Sequence, residues 1–210
     1  MDEAVVSTRD RKIPSILTSN FLRYLFAPPE ALVAKYVSPG ARAVDLGCGA
    51  GFHTFAIGRR VGEKGHVYAV DFDPKAIARL ERRLRRRRSD GVIQAQTASA
   101  SEIDFIESGT IDFVLAEGLL CCMTDHEGAI RQIRRILRPG GRAYLSVIKL
   151  ANARDPRGIS SEEWERLLAR FSLLDRGEGL MTRWALVSPA EDAPADPRPA
   201  ESRAHHLPCC

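Results

Sequence analysis

Asp45 and three glycines beyond it are the residues of this 210-residue chain whose types and spacing most clearly suggest chemistry. Asp45 stands near the end of a hydrophobic run at residues 41–46, and Gly47, Gly49 and Gly51 follow at alternate positions around Cys48. Residues 51–61 then read as a helix. A strand, a tight glycine turn and a helix start let a ligand lie against bare backbone, with the first helical amides near Phe52 available to an anionic group. The carboxylate selects the ligand's charge. It would repel the pyrophosphate of a dinucleotide and would favour a ligand carrying cationic centres. The glycine spacing also departs from the dinucleotide pattern G-x-G-x-x-G, because His53, not glycine, follows Phe52.

A second acidic position sharpens this reading. Residues 66–70 form a strand pattern that ends at Asp71, 24 residues after Gly47. An acid about 20 residues beyond the glycine loop is where a doubly wound fold grips a ribose diol, and Asp71 can accept from both hydroxyls. Asp73-Pro74 reads as an N-cap followed by a first-turn proline. A nucleoside that carries cations rather than pyrophosphate is S-adenosylmethionine, with its sulfonium and ammonium groups, and this is the expected cofactor.

These residues need a scaffold, and the rest of the chain supplies its pattern. Strands are expected at 41–46, 66–70, 92–96, 111–116 and 142–148, and helices at 51–61, 74–88, 124–137 and 160–170. Residues 171–176 and 181–187 form a closing hairpin. Alternation of strands and helices predicts an α/β, Rossmann-like, doubly wound seven-stranded sheet, mostly parallel with an antiparallel last strand and helices on both faces. Ahead of it, residues 1–37 are expected to form a helical lid through helices at 20–26 and 29–36, with Phe21, Tyr24 and Phe26 as aromatic contacts. The domain proper spans 38–187. Five prolines punctuate residues 188–210, which read as a disordered tail.

Composition narrows the setting. A content of 44% hydrophobic and 28% charged residues is that of a globular chain, and no segment approaches the roughly 20 apolar residues of a membrane span. The N-terminal residues lack a signal-peptide pattern, so the cytoplasm is the expected location. Six arginines (Arg82, Arg83, Arg85, Arg86, Arg87 and Arg88) account for more than the whole net charge of +4. Basicity is therefore local. It predicts at most one anionic contact patch, with RNA at Arg82–Arg88 as a competing partner. Five cysteines include the pairs Cys121-Cys122 and Cys209-Cys210, and reduced thiols are expected.

With these motifs in hand, the chain resembles the class I S-adenosylmethionine-dependent methyltransferases. Residues 44–51 (VDLGCGAG) match that family's first motif, residues 68–74 (YAVDFDP) its acidic motif, and residues 137–141 (LRPGG) the loop before its fifth strand. Residues 116–141 also look like the ubiquinone/menaquinone-biosynthesis group. The resemblance implies cofactor contacts at Asp45, Gly47, Cys48, Gly49, Gly51, Asp71, Phe72, Ser99, Ala100 and Glu117. Ser99 stands where many relatives place an aspartate for the adenine amino group, with Glu102 as a substitute further along. The Asn/Asp-Pro-Pro-aromatic motif of amino-group methylation and the Pro-Cys nucleophile of cytosine chemistry are both absent.

Methyl transfer to a small-molecule acceptor is the expected activity. Glu117, just past the fourth strand, and His126 are the candidate catalytic groups, with His53 as a further candidate base. No metal ligand is assigned. Cys121 and Cys122 open a competing reading as a metal- or metalloid-handling site, against ordinary packing.

Overall fold

The structure, a computed structural model, describes residues 29–87, 91–149, 157–179 and 181–190. The expected helix at 20–26, the lid aromatics, Arg88 and residues 191–210 lie outside the described residues. Helix α1 (Pro29–Tyr36) is followed by β1 (Arg42–Leu46), α2 (Thr54–Val61), β2 (His66–Asp71) and α3 (Pro74–Arg87). Then come β3 (Ile93–Thr97), β4 (Ile111–Glu117), a 3-10 turn (Leu120–Cys122) and α4 (His126–Ile136). Strand β5 (Leu137–Ile148), α5 (Ser161–Leu168), β6 (Phe171–Glu178) and β7 (Thr182–Pro189) complete the order.

Alternate apolar side chains give the sheet two inner faces. Val44, Leu46, Val114 and Ala116 pack with Ile130 and Ile133 of α4 and Trp164 and Leu167 of α5. Ala43, Phe113 and Leu115 face the other way, toward Val33 and Tyr36 of α1, Phe55 and Ile57 of α2, and Ile77 and Leu80 of α3. Helix α3 shows why it docks there. Its buried residues, Ala76, Ile77, Leu80 and Leu84, recur at helical spacing on one stripe, and its arginines occupy the rest. Each fully buried Leu or Ile contributes about 1.5–3 kcal/mol.

The seven strands run in the order β3-β2-β1-β4-β5-β7-β6. Strands β1 to β5 are parallel, and β7 enters antiparallel between β5 and β6. Connections from β1 lead outward to β2, and those from β4 lead outward to β5 on the opposite side. The carboxyl ends of β1 and β4 thus flank the switch point of a doubly wound sheet, where ligands lie in such folds.

Most boundaries shift by a residue or two from the sequence reading, and three of the shifts have a clear physical reason. Helix α2 starts at Thr54 rather than 51, because Gly51 has φ +89° and keeps the chain in a turn. Strand β5 begins at Leu137, since Leu137 pairs with Ile111 before the register shifts to Phe113 and Arg142. The proline-glycine segment is thus built into the start of the strand. Strand β7 runs to Pro189, two residues beyond the boundary drawn from composition, because Ser188 and Pro189 pair with Ser172 and Phe171.

Candidate active site

Alternation in β1 turns Asp45 toward the α2 face, where it is 4% exposed, beneath the glycine turn. Its Oδ2 accepts from Thr54 Oγ1 at 2.6 Å, which fastens the end of β1 to the first residue of α2. Burial raises the Asp45 pKa, opposed by His53 and the Thr54 hydroxyl; Glu117 and Asp71 push it further up. Asp45 therefore senses two other carboxylates, Asp71 on the neighbouring strand and Glu117 across the switch point.

The turn is stitched to the neighbouring strand. Gly47 N and Cys48 N both donate to Val70 O, and Gly49 N donates to Asp71 Oδ2 at 2.8 Å. Asp71 Oδ1 accepts from Asp73 N at 2.9 Å, and Asp73 in turn caps α3 by accepting from Lys75 N. Each Asp71 oxygen keeps a further lone pair for a ligand hydroxyl. Burial raises its pKa, opposed by these two amides. Two of the glycines have separate reasons. A side chain at Gly49 would meet nothing within 4 Å, so this position borders open space. A Cβ at Gly51 would come within 2.6 Å of Leu80 and 3.0 Å of Phe55, so its glycine serves the packing of α3 against α2. Cys48 is buried in the α2–α3 core cluster, and burial pushes its thiol well up.

Glu117 closes β4 and pairs in register with Ser146 of β5. Its Oε2 lies 2.9 Å from Nε2 of His53, the residue just before α2. The two side chains differ in exposure. That of His53 is 10% exposed and that of Glu117 is 31% exposed, so the carboxylate is the member facing outward. Asp45, His53 and Glu117 thus form one electrostatic group, with an imidazole among carboxylates.

The third-strand segment sits beside Asp71: Asp71 pairs with Thr97, and Ala98 N donates to Asp71 O. Ser99 Oγ lies 3.0 Å from Ser101 Oγ, Ala100 is buried in the core, and Glu102 is exposed. Phe72 is partly buried at the end of β2. His126 is placed elsewhere. It is buried, with Nδ1 2.8 Å from Glu163 Oε1 and Nε2 2.8 Å from Met123 O. Two acceptors engage both ring nitrogens, so His126 braces the start of α4 against α5.

Sequence reasoning missed Thr54 and the role of Arg83. Arg83 donates from a guanidinium nitrogen to Ala50 O, holding the glycine turn from behind, and its guanidinium stacks 4.7 Å from the Phe55 ring. Arg87 lies over the same ring at 4.5 Å. Two members of the arginine run are thus engaged within the fold. Among the described residues no group of three or more His, Cys, Asp or Glu side chains is placed to hold a metal ion, and no helix is long and apolar enough to cross a membrane.

Residues 44–145 match the family model described as a methyltransferase domain. Those residues carry a methyltransferase domain on the fold of the class I S-adenosylmethionine-dependent methyltransferases. The ubiquinone/menaquinone biosynthesis C-methyltransferase of Vibrio vulnificus is 36% identical over 111 residues, 51% of this chain and 41% of that protein. The arsenite methyltransferase of Halobacterium salinarum is 25% identical over 169 residues, 80% of this chain and 42% of that protein. The chain spans under half the length of these curated relatives. An S-adenosylmethionine-dependent methyltransferase from Aquifex aeolicus shares the fold at TM-score 0.71 and 18% identity, over 84% of this chain and 98% of that one. S-Adenosylmethionine is the family's cofactor. The residues present fit it: clustered carboxylates for its cationic centres, lone pairs on Asp71 for hydroxyls, and open space over Gly49.

Proposed function

We propose that this methyltransferase-family chain transfers the methyl group of S-adenosylmethionine to a small-molecule acceptor, with Glu117 taking the proton that the acceptor loses. The observation that carries this reading is the gathering of His53, Glu117 and Asp71 within electrostatic reach of Asp45, with His53 paired to Glu117, at the carboxyl edge of the sheet. When bound, S-adenosylmethionine supplies a methyl group already activated on a sulfonium.

The chain's residues then have binding and orienting roles. Asp45 attracts the ammonium group and fixes the turn through Thr54. Asp71 accepts from the ribose hydroxyls. His53 holds the Glu117 carboxylate at the end of β4, and Glu117 presents an acceptor for a proton on the outward side. Alignment of two reactants in this way is worth about 7–11 kcal/mol of barrier, provided water is kept out. His126 has no part in the reaction on this reading, because its nitrogens are engaged between α4 and α5.

The relatives support a small acceptor and leave its identity open. One carries a quinone-pathway name and another an arsenite name. RNA gains less support from Arg83, whose guanidinium donates to Ala50 O and packs on Phe55; Arg82, Arg85, Arg86 and Arg87 remain on the exposed side of the helix.

Calorimetry with S-adenosylmethionine and with NAD tests the donor. The first should bind and the second should not; the reverse result sinks the proposal. A labelled-methyl assay on cell extract, separated into small-molecule and RNA fractions, tests the acceptor. Label in RNA alone would overturn the acceptor class and leave the donor standing.

A further inference from the structure

The 3-10 turn Leu120–Cys122 belongs neither to the glycine cradle nor to the Glu117–His53 pair, yet it gathers two nucleophilic side chains. Cys121 Sγ and Cys122 Sγ each donate to the same atom, Gly118 O, at 3.3 Å. Two thiols that share one acceptor stand side by side. Both residues are partly exposed, and no disulfide joins them. Their surroundings are unlike those of Cys48, which is buried and held protonated by burial beside Asp45 and Asp71. The Cys121 thiol moves the other way, down to about 6. The hydrogen bond with Cys122 is the largest cause, and backbone contacts and His126 act in the same direction against burial. A thiol with that value is largely thiolate at neutral pH; on ionising it gives up its bond to Gly118 O and accepts from the Cys122 thiol instead, and the thiolate is the nucleophile.

We propose that Cys121 and Cys122 form a hydroperoxide-sensitive dithiol, with Cys121 as the attacking residue and Cys122 as the resolving one. In the first step Cys121 Sγ attacks an oxygen of the hydroperoxide and the O–O bond breaks. The sulfur is oxidised to a sulfenic acid, and the other oxygen is reduced and leaves as hydroxide or alkoxide, which takes a proton from water. In the second step Cys122 Sγ attacks the Cys121 sulfur and the S–O bond breaks. The hydroxyl leaves with the Cys122 proton as water, and an S–S bond joins the two residues.

Neighbouring Cα atoms are about 3.8 Å apart, shorter than the usual disulfide span of about 4.4–6.8 Å, so this bond is strained and easily reduced. Once it closes, neither sulfur can donate to Gly118 O. Gly118 follows Glu117, and its N–H donates to Ser146 O and Oγ at 3.1 Å, so the modification acts where β4 leaves the sheet. The inference stands independently of the acceptor proposed above.

The tryptic peptide 89–131 contains Cys121 and Cys122 and no other cysteine, which makes the test direct. The full chain is treated with dilute hydrogen peroxide, blocked with an alkylating agent, digested and weighed. The peptide should escape alkylation and weigh two hydrogens less than the unalkylated dithiol, at least about tenfold faster than Cys48 is lost, and dithiothreitol before alkylation should restore both alkyl groups. Cys121→Ser should abolish the change. Cys122→Ser should leave a sulfenic acid at Cys121 that dimedone traps. A peptide that gains oxygen only at Met123, or a Cys122→Ser variant that yields no dimedone adduct, overturns the proposal.

Discussion

The β1–β2 end of the sheet edge and the β4 end face each other across the switch point, but they are assembled by different means. On the first side the parts are close in sequence: Asp45, its partner Thr54 and the glycines between them, with Asp71 one strand away. Most of the polar contacts there use backbone amides, which every sequence has, so only glycines and carboxylates at set spacings are needed. On the second side Glu117 meets His53, 64 residues earlier in the chain, and the cysteines reach back to Gly118. The first of these contacts joins two side chains that only folding brings together, and all of them depend on side chains of particular types. A cofactor site made of local backbone can remain recognisable while an acceptor site made of distant side chains changes, and the different acceptors named for the relatives accord with that division.

The comparison can be broken most severely at Glu117. In Glu117→Gln, methyl transfer to an acceptor that must lose a proton should fall about 10²–10⁴-fold, the usual contribution of a general base. Cofactor affinity measured by calorimetry should stay nearly constant. A parallel loss of both would mean that the two sides are one site.

Next in size is Gly51→Val on the cofactor side. With φ +89° and Leu80 2.6 Å from the new Cβ, the substitution combines backbone strain with overpacking and should cost about 2–4 kcal/mol in a denaturant melt. Gly49→Ala, with open space around it, should cost only about 1 kcal/mol.

Asp45→Asn sharpens the same contrast between binding and stability. Loss of a charge-assisted contact should weaken S-adenosylmethionine binding by about 1.5–3 kcal/mol. The unliganded protein should be at least as stable near pH 7, and the sign follows from the raised pKa. A carboxyl whose folded pKa lies above its unfolded value takes stability away as pH rises through that window, and asparagine has no such titration. Its carbonyl can still accept from Thr54. A melt showing a large loss of stability at neutral pH would contradict this account.

The smallest effect belongs to the exposed arginines. Arg85→Ala with Arg86→Ala should change stability by no more than about 0.5 kcal/mol and leave methyl transfer to a small acceptor unaltered. A steep fall in that transfer would bring the arginine helix into the site.

What could be read from the sequence follows the same division. The strand pattern, the seven-stranded order's antiparallel member and the placement of Asp45 and Asp71 at strand ends rest on local periodicity and spacing. The partnership of His53 with Glu117 has no such signal, since each residue alone looks like a loop side chain. Arg83 was hidden for the opposite reason. Within a run of like charges nothing in the sequence distinguishes the one that turns inward to Ala50 O. His126, a candidate base by its place at a helix start, has its partners in Met123 O and in Glu163 on another helix, a pairing with no local signal.

The clasp between Asp71 and Gly49 has an effect on affinity. With the Gly47, Cys48 and Gly49 amides already fastened to β2, the cradle is preorganised before any ligand arrives. The entropic cost of ordering the turn is borne by folding, so little of the ligand's contact energy is diverted into immobilising backbone. Amide exchange at Gly49 should accordingly be slow in the empty protein and change little on binding. The same clasp ties the binding surface to β2, so any motion that loosens the edge of the sheet also opens the cradle.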